Sequence, residues 1–266
     1  MTRDPSIRTS MADAVTKLVG GPRALNYFTH VSNAFGFIYF TVPAAASIRT
    51  IGSLNLAIAE SLDADFEIKN IAQLYNRQVN ILGMPKSEGM GVFNQMLDDP
   101  SVLKITFLRD PVDRFAALYR SIFSANTRKA GPRQTLFNHL GIPLEENLSM
   151  LDLAELLCEE DDLKSLTPQL RSQRQMAGYD LVDYNFIGRH ETWQTDFATV
   201  SQDIFGRDVT QFDPVSSFNQ DPEGANLQTT VDPETRVALE QAYADDYDML
   251  EEVASLFPGG FAQDHE

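Results

Sequence analysis

Apolar residues recur in three short runs along the chain, and each run is followed by a turn and then by apolar positions at helical spacing. The runs cover residues 35–42, 102–108 and 184–187. The first is rich in aromatic and β-branched residues without strict alternation, which is typical of a strand covered on both faces. Three units of strand, turn and helix predict an α/β fold in one domain, with a mostly parallel sheet and helices on both faces.

The helices predicted after these runs are marked by apolar residues three and four positions apart. After the first run, the apolar stripe extends from Ile48 to Leu62. After the second run, Pro111 suits a first helical turn and Phe115 begins the next stripe. A third helix is predicted around residues 193–204.

The C-terminal region carries the clearest helix pattern. Asp232 is placed as the N-cap, Pro233 is the first helical residue, and one apolar face continues to Val253 before a Pro-Gly-Gly sequence ends the pattern. One uninterrupted helix is therefore predicted. Residues 63–100 and 124–170 show weaker helical patterning and are predicted to form the walls of a substrate cleft.

Length and composition fit one folded unit. The 266 residues include 43% apolar positions, enough for a single sizeable core. We therefore expect one domain over residues 1–266, with an N-terminal extension at 1–33 and a flexible tail at 258–266. No apolar run reaches the roughly 18 to 20 residues of a membrane span. The N-terminal residues do not resemble a secretory signal, so a cytoplasmic location is expected.

Charge is distributed unevenly along the chain. The net charge is −17, and residues 201–266 hold two basic and fifteen acidic groups. Between Lys104 and Arg133 the balance reverses to seven basic against two acidic residues. This segment is either an anion site or a solvated basic face. The overall acidity argues against a nucleic-acid partner, because lysine and arginine supply most of the affinity for a phosphate backbone.

Two loops follow the first two predicted strands, and both are candidates for binding an anion. In sheets of this kind, ligands bind beyond the carboxyl ends of the strands. The loop at 43–49 stands where a P-loop would lie, with amide groups and a helix N-terminus that favour a phosphate. The second loop places Arg109 at the strand end and Arg114 in the first turn of the next helix. Because an arginine fork grips phosphate oxygens in pairs, a P-loop-type anion site is predicted at this edge of the sheet.

The order of these motifs resembles that of the sulfotransferases, particularly the branch that modifies carbohydrates. The second cofactor motif of that family, Arg-Asp-Pro-x-x-Arg-x-x-Ser-x-Tyr, is similar to residues 109–119. The first motif, Pro-Lys-x-Gly-x-Thr-Ser, falls on residues 43–49. The later block of the family looks like Pro168-Gln169, Tyr179-Asp180, Phe186-Ile187-Gly188-Arg189 and Glu191, followed by Asn219, Tyr243, Asp246 and Tyr247. The resemblance spans about residues 35–250.

The resemblance implies binding of 3′-phosphoadenosine 5′-phosphosulfate (PAPS) as the sulfuryl donor and in-line transfer to a hydroxyl acceptor, expected on a carbohydrate. In that family, the arginine that matches Arg109 binds the 3′-phosphate. The positions implied as cofactor contacts are Ala45, Ala46, Ser47, Ile48, Arg49, Arg109 and Arg114. The implied partners are the nucleotide and a small-molecule or glycan acceptor, and no metal is expected.

Both cofactor motifs depart from the family pattern and are degenerate. Ala44 stands where the family has the lysine that contacts the moving sulfuryl group, and Ala117 replaces the phosphate-binding serine. Ala46 replaces glycine, and Ile48 and Arg49 replace Thr-Ser. Loss of one donor to a transition-state oxyanion typically costs on the order of 10²–10³ in rate. Arg49 either restores the missing charge or points to solvent.

Two functional hypotheses follow from these departures. The chain is either a sulfotransferase or a catalytically impaired family member that acts as a nucleotide- or protein-binding module. A kinase-like phosphoryl transferase is disfavoured, because the Gly-x-x-x-x-Gly-Lys-Ser/Thr loop is absent from the sequence. Transfer to a hydroxyl also needs a general base. The four histidines are His30, His139, His190 and His265, and the sequence identifies none of them as the base.

Overall fold

The computed structural model describes residues 10–70, 73–74, 76, 78–123, 131–144, 146–159, 167–215 and 231–256. Several predicted features lie outside the described residues. They are the tail at 258–266, residues 1–9 of the N-terminal extension, Arg128 and Lys129 of the basic segment, Asn219, and His265.

The described chain contains both helices and strands. The helices are α1 (Met11–Leu18), α2 (Pro22–Phe28), α3 (Ser47–Ser61), α4 (Pro85–Glu88), α5 (Met90–Asp98), α6 (Pro111–Phe123), α7 (Pro132–Leu140), α8 (Met150–Glu159), α9 (Gln173–Ala177), α10 (Trp193–Phe205), α11 (Pro233–Ala242) and α12 (Ala244–Leu256). The strands are β1 (Thr29–Ser32), β2 (Phe37–Phe40), β3 (Leu103–Leu108) and β4 (Phe186–Arg189). Short 3₁₀ turns occur at Pro168–Leu170 and Thr210–Phe212. Within the described ranges, no helix combines the length and the apolar character that crossing a membrane requires.

The four described strands form one sheet in the order β1-β2-β3-β4. Strands β2, β3 and β4 run parallel, with Phe40 opposite Thr106 and Ile105 opposite Phe186. Strand β1 pairs antiparallel with β2. The prediction of a single α/β domain with one mostly parallel sheet is confirmed, and the first two predicted strands are neighbours in it.

Strand β1 was not predicted from the sequence. Its four residues follow α2 directly, and Thr29, His30 and Ser32 give no apolar run from which a strand could be recognised. Its hydrogen bonds come from elsewhere in the fold, since β1 pairs along β2 and Val31 forms a bridge with Gly83. The partner strand therefore determines this element more than its own sequence does.

Strand β2 is buried on both faces. Phe37 and Tyr39 belong to an apolar cluster formed with α3 and α10. Ile38 and Phe40 belong to another cluster, formed with α1 and α5. Because successive residues of a strand point to opposite faces, helices cover both sides of the sheet, as the lack of alternation predicted.

A further apolar cluster joins α6, α7, α8 and α11. Its buried members include Phe115, Phe137, Leu153 and Leu239. The apolar stripe predicted after the second strand therefore packs against other helices. The weakly patterned segment 124–170 contributes α7 and α8 to this cluster.

The prediction of one uninterrupted C-terminal helix is wrong. Helices α11 and α12 meet at Tyr243, where the backbone leaves the helical region with φ −116° and ψ 30°. Asp232 caps α11 as predicted, and its carboxylate accepts the Thr235 N–H at 2.9 Å. At the break, the Tyr243 ring is buried and its hydroxyl donates to the Leu170 carbonyl at 2.9 Å. The break in the helix thus coincides with a tertiary contact of Tyr243.

Candidate functional site

The carboxyl ends of β2 and β3 bring the two predicted loops into contact. Residues 41–46 lead from β2 into α3, which begins at Ser47. Arg109 directly follows β3 and is 6% exposed. Its Nη1 donates to the Ala44 carbonyl at 3.2 Å. Arg109 and the first loop therefore lie together at one edge of the sheet.

Two alanines of the first loop have left-handed backbone conformations. Ala44 has φ 61°, and Ala46 has φ 57° and ψ 18°. Glycine is normally favoured there, because the region costs an L-residue about 1–2 kcal/mol. Between them, Ala45 donates its N–H to the Val42 carbonyl at 3.2 Å. The loop thus keeps, at the position of the family glycine, a backbone that glycine would adopt more readily.

His190 contacts the first loop from the end of β4. Its Nδ1 accepts the Ala46 N–H at 3.0 Å, and the residue is 5% exposed. Burial, and to a smaller extent the charges of Arg109 and Arg49, lower the pKa of His190 to about 3. The imidazole is therefore neutral near pH 7 and carries its proton on Nε2. The sequence placed His190 among four histidines without a role and did not reveal this contact.

A glutamine amide holds both backbone groups of Arg109. The Arg109 N–H donates to Gln173 Oε1 at 2.9 Å, and Gln173 Nε2 donates to the Arg109 carbonyl at 2.7 Å. The next amide, of Asp110, donates to Glu191 Oε1 at 3.1 Å, and burial raises the pKa of Glu191. Sequence reasoning missed Gln173, and its only signal was its place shortly after the Pro-Gln pair of the later block.

Arg114 lies inside the protein rather than at the surface of the loop. Its Nε donates to the Pro43 carbonyl at 3.1 Å. Its Nη2 donates to the Gln169 and Arg171 carbonyls at 2.9 Å each. The side chain is fully buried, Asp246 lies 4.0 Å away, and burial lowers the pKa of Arg114. Arg114 therefore ties the first loop to the later motif block.

Arg49 is engaged with an acidic and an aromatic side chain. Its Nε and Nη2 donate to Asp213 Oδ2 at 3.0 and 2.6 Å. Its guanidinium lies 4.4 Å from the ring centroid of Trp193. The side chain is 23% exposed, so its charge is directed to Asp213 rather than to solvent.

Lys104 and Arg133, at the two ends of the basic segment, do not lie on a solvated face. Lys104 is 3% exposed, and its Nζ donates to the Asp99 carbonyl. Arg133 is 4% exposed and donates to two carbonyls of the segment 144–146. Both cations hold backbone oxygens and neither faces the first loop as Arg109 does.

A cavity of about 200 Å³ adjoins the first loop. Its described lining includes Ala44, Ser47 and Ile48 from the loop and the start of α3, and Ala117 from α6. Two of the predicted cofactor positions, Ser47 and Ile48, therefore face a common space with the two alanines that replace the family lysine and serine.

His30 also lines this cavity. The residue is 2% exposed, and its ring lies beside that of Tyr39, with centroids 5.8 Å apart and 25° between the planes. Its position follows from β1, which the sequence pattern did not predict. Nothing in the sequence therefore distinguished His30 from the other histidines.

The region that carries both loops matches a known protein family. The family model, described as Sulfotransferase family, covers residues 30–251. Among curated proteins and among solved structures, no match was found. The matched region includes the three parallel strands and both loops at their carboxyl ends, and the family supports sulfuryl transfer as the general activity. Since the family model matches most of the length of the chain, the chain belongs to the sulfotransferase family.

Proposed function

We propose that the protein binds PAPS along residues 43–49 and Arg109 and transfers the sulfuryl group to a hydroxyl of a carbohydrate or another small molecule. The observation that supports this most directly is the hydrogen bond of 3.2 Å from Arg109 Nη1 to the Ala44 carbonyl. It unites the two loops that the resemblance assigns to the nucleotide. They meet at the carboxyl edge of parallel strands, where ligands bind in such sheets.

The residues at this edge suit an anionic nucleotide. Arg109 offers a planar, permanently charged fork for phosphate oxygens. The fifteen-residue helix α3 begins at Ser47, and its N-terminal dipole favours an anion. Arg114 supports the loop through its hydrogen bond to the Pro43 carbonyl. PAPS supplies the sulfuryl group, while these residues position it and stabilise the charge that develops during transfer.

Two alanines lower the rate of sulfuryl transfer that we expect. Ala44 and Ala117 line the cavity beside the loop at the positions of the family lysine and serine. Each missing donor that would contact transition-state charge costs on the order of 10²–10³ in rate. Arg49 is paired with Asp213 at 2.6 Å, so it would have to exchange that partner to replace the lysine. We therefore expect slow transfer.

Arg109→Ala tests the nucleotide site. A charge-assisted pair contributes about 1.5–3 kcal/mol, so this variant should bind adenosine 3′,5′-bisphosphate roughly 10- to 100-fold more weakly in calorimetric titrations. Arg109→Lys should recover part of the loss, because it restores the charge without the fork. Arg174→Ala is the matched control, since it removes a cation that pairs with Asp180 and Glu252. Unchanged affinity in folded Arg109→Ala protein would reject the site.

Ala44→Lys distinguishes an enzyme from a nucleotide-binding module. The new ammonium would face the sulfuryl group, so release of labelled sulfate from PAPS, to water or to an acceptor, should rise by up to about 10²–10³. Ala44→Met controls for the length of the side chain without its charge. If neither the parent nor Ala44→Lys releases sulfate while both bind the bisphosphate, the protein is a binding module.

A further inference from the structure

The backbone of Arg109 lies between the end of a strand and the start of a helix. The pairing of β3 with β4 ends at Leu108, and α6 begins at Pro111. Arg109 is nevertheless buried, with 6% of its surface exposed. Buried backbone groups need hydrogen-bond partners, and a residue outside regular structure has more backbone freedom to lose. The direction in which the Arg109 side chain leaves the backbone therefore depends on what pairs with its N–H and carbonyl groups.

Gln173 pairs with both of these groups through its side-chain amide. Its Oε1 accepts the Arg109 N–H at 2.9 Å, and its Nε2 donates to the Arg109 carbonyl at 2.7 Å. The residue is fully buried. A carboxamide presents an acceptor and a donor together, as the backbone of a neighbouring strand does. The amide of Gln173 therefore continues, one residue further, the pairing that β4 supplies as far as Leu108.

The segment that carries Gln173 is itself held by two other helices. The Arg174 N–H donates to Oδ1 of Asp246, which belongs to α12, at 3.0 Å. Arg114 of α6 donates to two carbonyls within residues 169–171, at 2.9 Å each. Both Arg114 and Asp246 are fully buried. The side chain of Gln173 therefore reaches the end of β3 from a fixed support.

The guanidinium end of Arg109 is fixed as well. Its Nη1 donates to the Ala44 carbonyl at 3.2 Å. An arginine side chain has several rotatable bonds, and immobilising it when a ligand binds reduces the affinity. Because Gln173 holds the backbone and Ala44 holds one terminal nitrogen, that cost is met in the folded protein before the ligand arrives. The paired grip of a guanidinium on phosphate oxygens depends on such geometry.

We propose that Gln173 is a positioning residue that sets the selectivity of the nucleotide site for a 3′-phosphate by fixing the backbone of Arg109; the inference rests on the proposed function. Gln173 acts through Arg109 and needs no contact with the nucleotide. Loss of its amide should weaken recognition of the 3′-phosphate and leave the binding of the rest of the nucleotide as it was. A general role in folding would instead weaken the binding of every nucleotide alike.

The experiment compares two nucleotides that differ in the 3′-phosphate, adenosine 3′,5′-bisphosphate and adenosine 5′-monophosphate, by calorimetric titration of the full-length protein. Gln173→Met keeps the length of the side chain and removes both hydrogen bonds. It should weaken bisphosphate binding roughly 3- to 30-fold, the range of one to two lost hydrogen bonds. Its affinity for the monophosphate should change by less than about 2-fold, since that nucleotide lacks the group that the Arg109 fork is expected to bind.

Three further variants sharpen the comparison. Gln175→Met, at an exposed position of the same helix, is the matched control and should leave both affinities unchanged. Gln173→Asn keeps an amide that is too short to pair with both groups, so its loss should be intermediate; it carries the same test should Gln173→Met fail to fold. When Arg109 is already alanine, Gln173→Met should weaken bisphosphate binding by less than about 2-fold more, because the residue through which Gln173 acts is gone.

The outcomes separate this inference from the proposed function. If Arg109→Ala weakens bisphosphate binding but the Gln173 variants leave the ratio of the two affinities unchanged, the inference is overturned and the proposed function stands. Additive effects of Arg109→Ala and Gln173→Met would also overturn it, because Gln173 would then act by another route. If the parent protein does not bind the bisphosphate, or Arg109→Ala does not alter that binding, the nucleotide site itself fails and the inference fails with it.

Discussion

Ala44 and Ala46 hold the first loop in the left-handed region, with φ angles of 61° and 57°. Glycine would adopt these angles without steric cost, whereas the alanine methyl groups approach the following carbonyl oxygen. Ala46 is fully buried in an apolar cluster, so burial of its methyl group offsets part of that cost. Ala44 is only half-buried. The backbone strain is therefore least compensated at Ala44.

Replacing Ala44 by glycine should stabilise the protein. Relief of the left-handed strain contributes about 1–2 kcal/mol, and the greater freedom of glycine in the unfolded chain takes back about 0.4–1 kcal/mol. The expected gain is about 0.5–1 kcal/mol in the free energy of unfolding, measured by urea denaturation. Ala198→Gly, a half-buried site within α10, is the control and should destabilise by about 0.5–1 kcal/mol. Destabilisation by Ala44→Gly would contradict the assigned backbone.

At the scale of elements, the contact between β3 and β4 depends on the absence of a side chain. A β-carbon built on Gly188 of β4 would lie 2.4 Å from Cε1 of Phe107. Phe107 is fully buried in the cluster that covers this face, so its ring has little room to move. The parallel pairing of β3 with β4, which brings His190 to the first loop, therefore requires glycine at position 188.

Gly188→Ala should destabilise the protein by about 1–3 kcal/mol through overpacking. Urea denaturation measures the loss, and Gly91→Ala in α5 is the control, because a β-carbon there meets nothing within 4 Å. That control should be neutral or stabilise by up to about 1 kcal/mol. In a double-mutant cycle, Phe107→Leu should reduce the cost of Gly188→Ala. Independent, additive effects would show that the Phe107 ring is not the obstacle.

Elements with a strong local pattern could be predicted, while those that depend on a partner could not. The apolar runs identified β2, β3 and β4, and the proline and aspartate signals identified the start of α11. Strand β1 has four residues and acquires its register from β2, so no local signal was available. At the break that the pattern missed, Tyr243 contacts Leu170, which is 73 positions away in the sequence and so leaves no local signal.

The sequence predicted which backbone segments form the candidate site. It did not predict most of the contacts that their side chains make. The motif order placed Arg109 and the first loop at one edge, and the structure brings them together. The same motif could not show that Arg114 is buried against backbone carbonyls or that Arg49 pairs with Asp213. Partners distant in sequence decide those roles. The position of His30 in the cavity likewise depends on an antiparallel strand that the pattern did not reveal.

At the scale of the whole molecule, a chain with a net charge of −17 also buries titratable groups where its layers meet. Asp246 of α12 accepts the Arg174 N–H at 3.0 Å, and burial raises the pKa of Asp246. Partial desolvation raises the pKa of Glu191 as well, although that residue is exposed. As the pH falls, protonation of these carboxyls favours the folded state. The pKa of His190 is lowered, so protonation of its imidazole favours the unfolded state as the pH falls.

His190→Gln isolates one contribution to the pH dependence of stability. In the folded state the pKa of His190 is about 3, against 6.5 for an ordinary imidazole. The unfolded chain therefore takes up a proton as the pH falls below about 6.5, while the folded protein does not until about pH 3. The stability that the neutral imidazole contributes is complete above that range, and linkage predicts a loss of about 2 kcal/mol between pH 7 and pH 5.

Glutamine keeps an acceptor for the Ala46 N–H, which His190 Nδ1 binds at 3.0 Å, but cannot titrate. Because the buried carboxyls affect both proteins alike, the comparison should show the parent losing about 2 kcal/mol more than His190→Gln between pH 7 and pH 5. Urea denaturation at several pH values measures this difference, and His139→Gln, at an exposed position, controls for removal of an imidazole. Parallel pH profiles for the parent and His190→Gln would show that the loop contact does not exclude the proton from His190. In that case the imidazole would be free to charge beside Arg109, and the electrostatics proposed for the nucleotide site would have to include it.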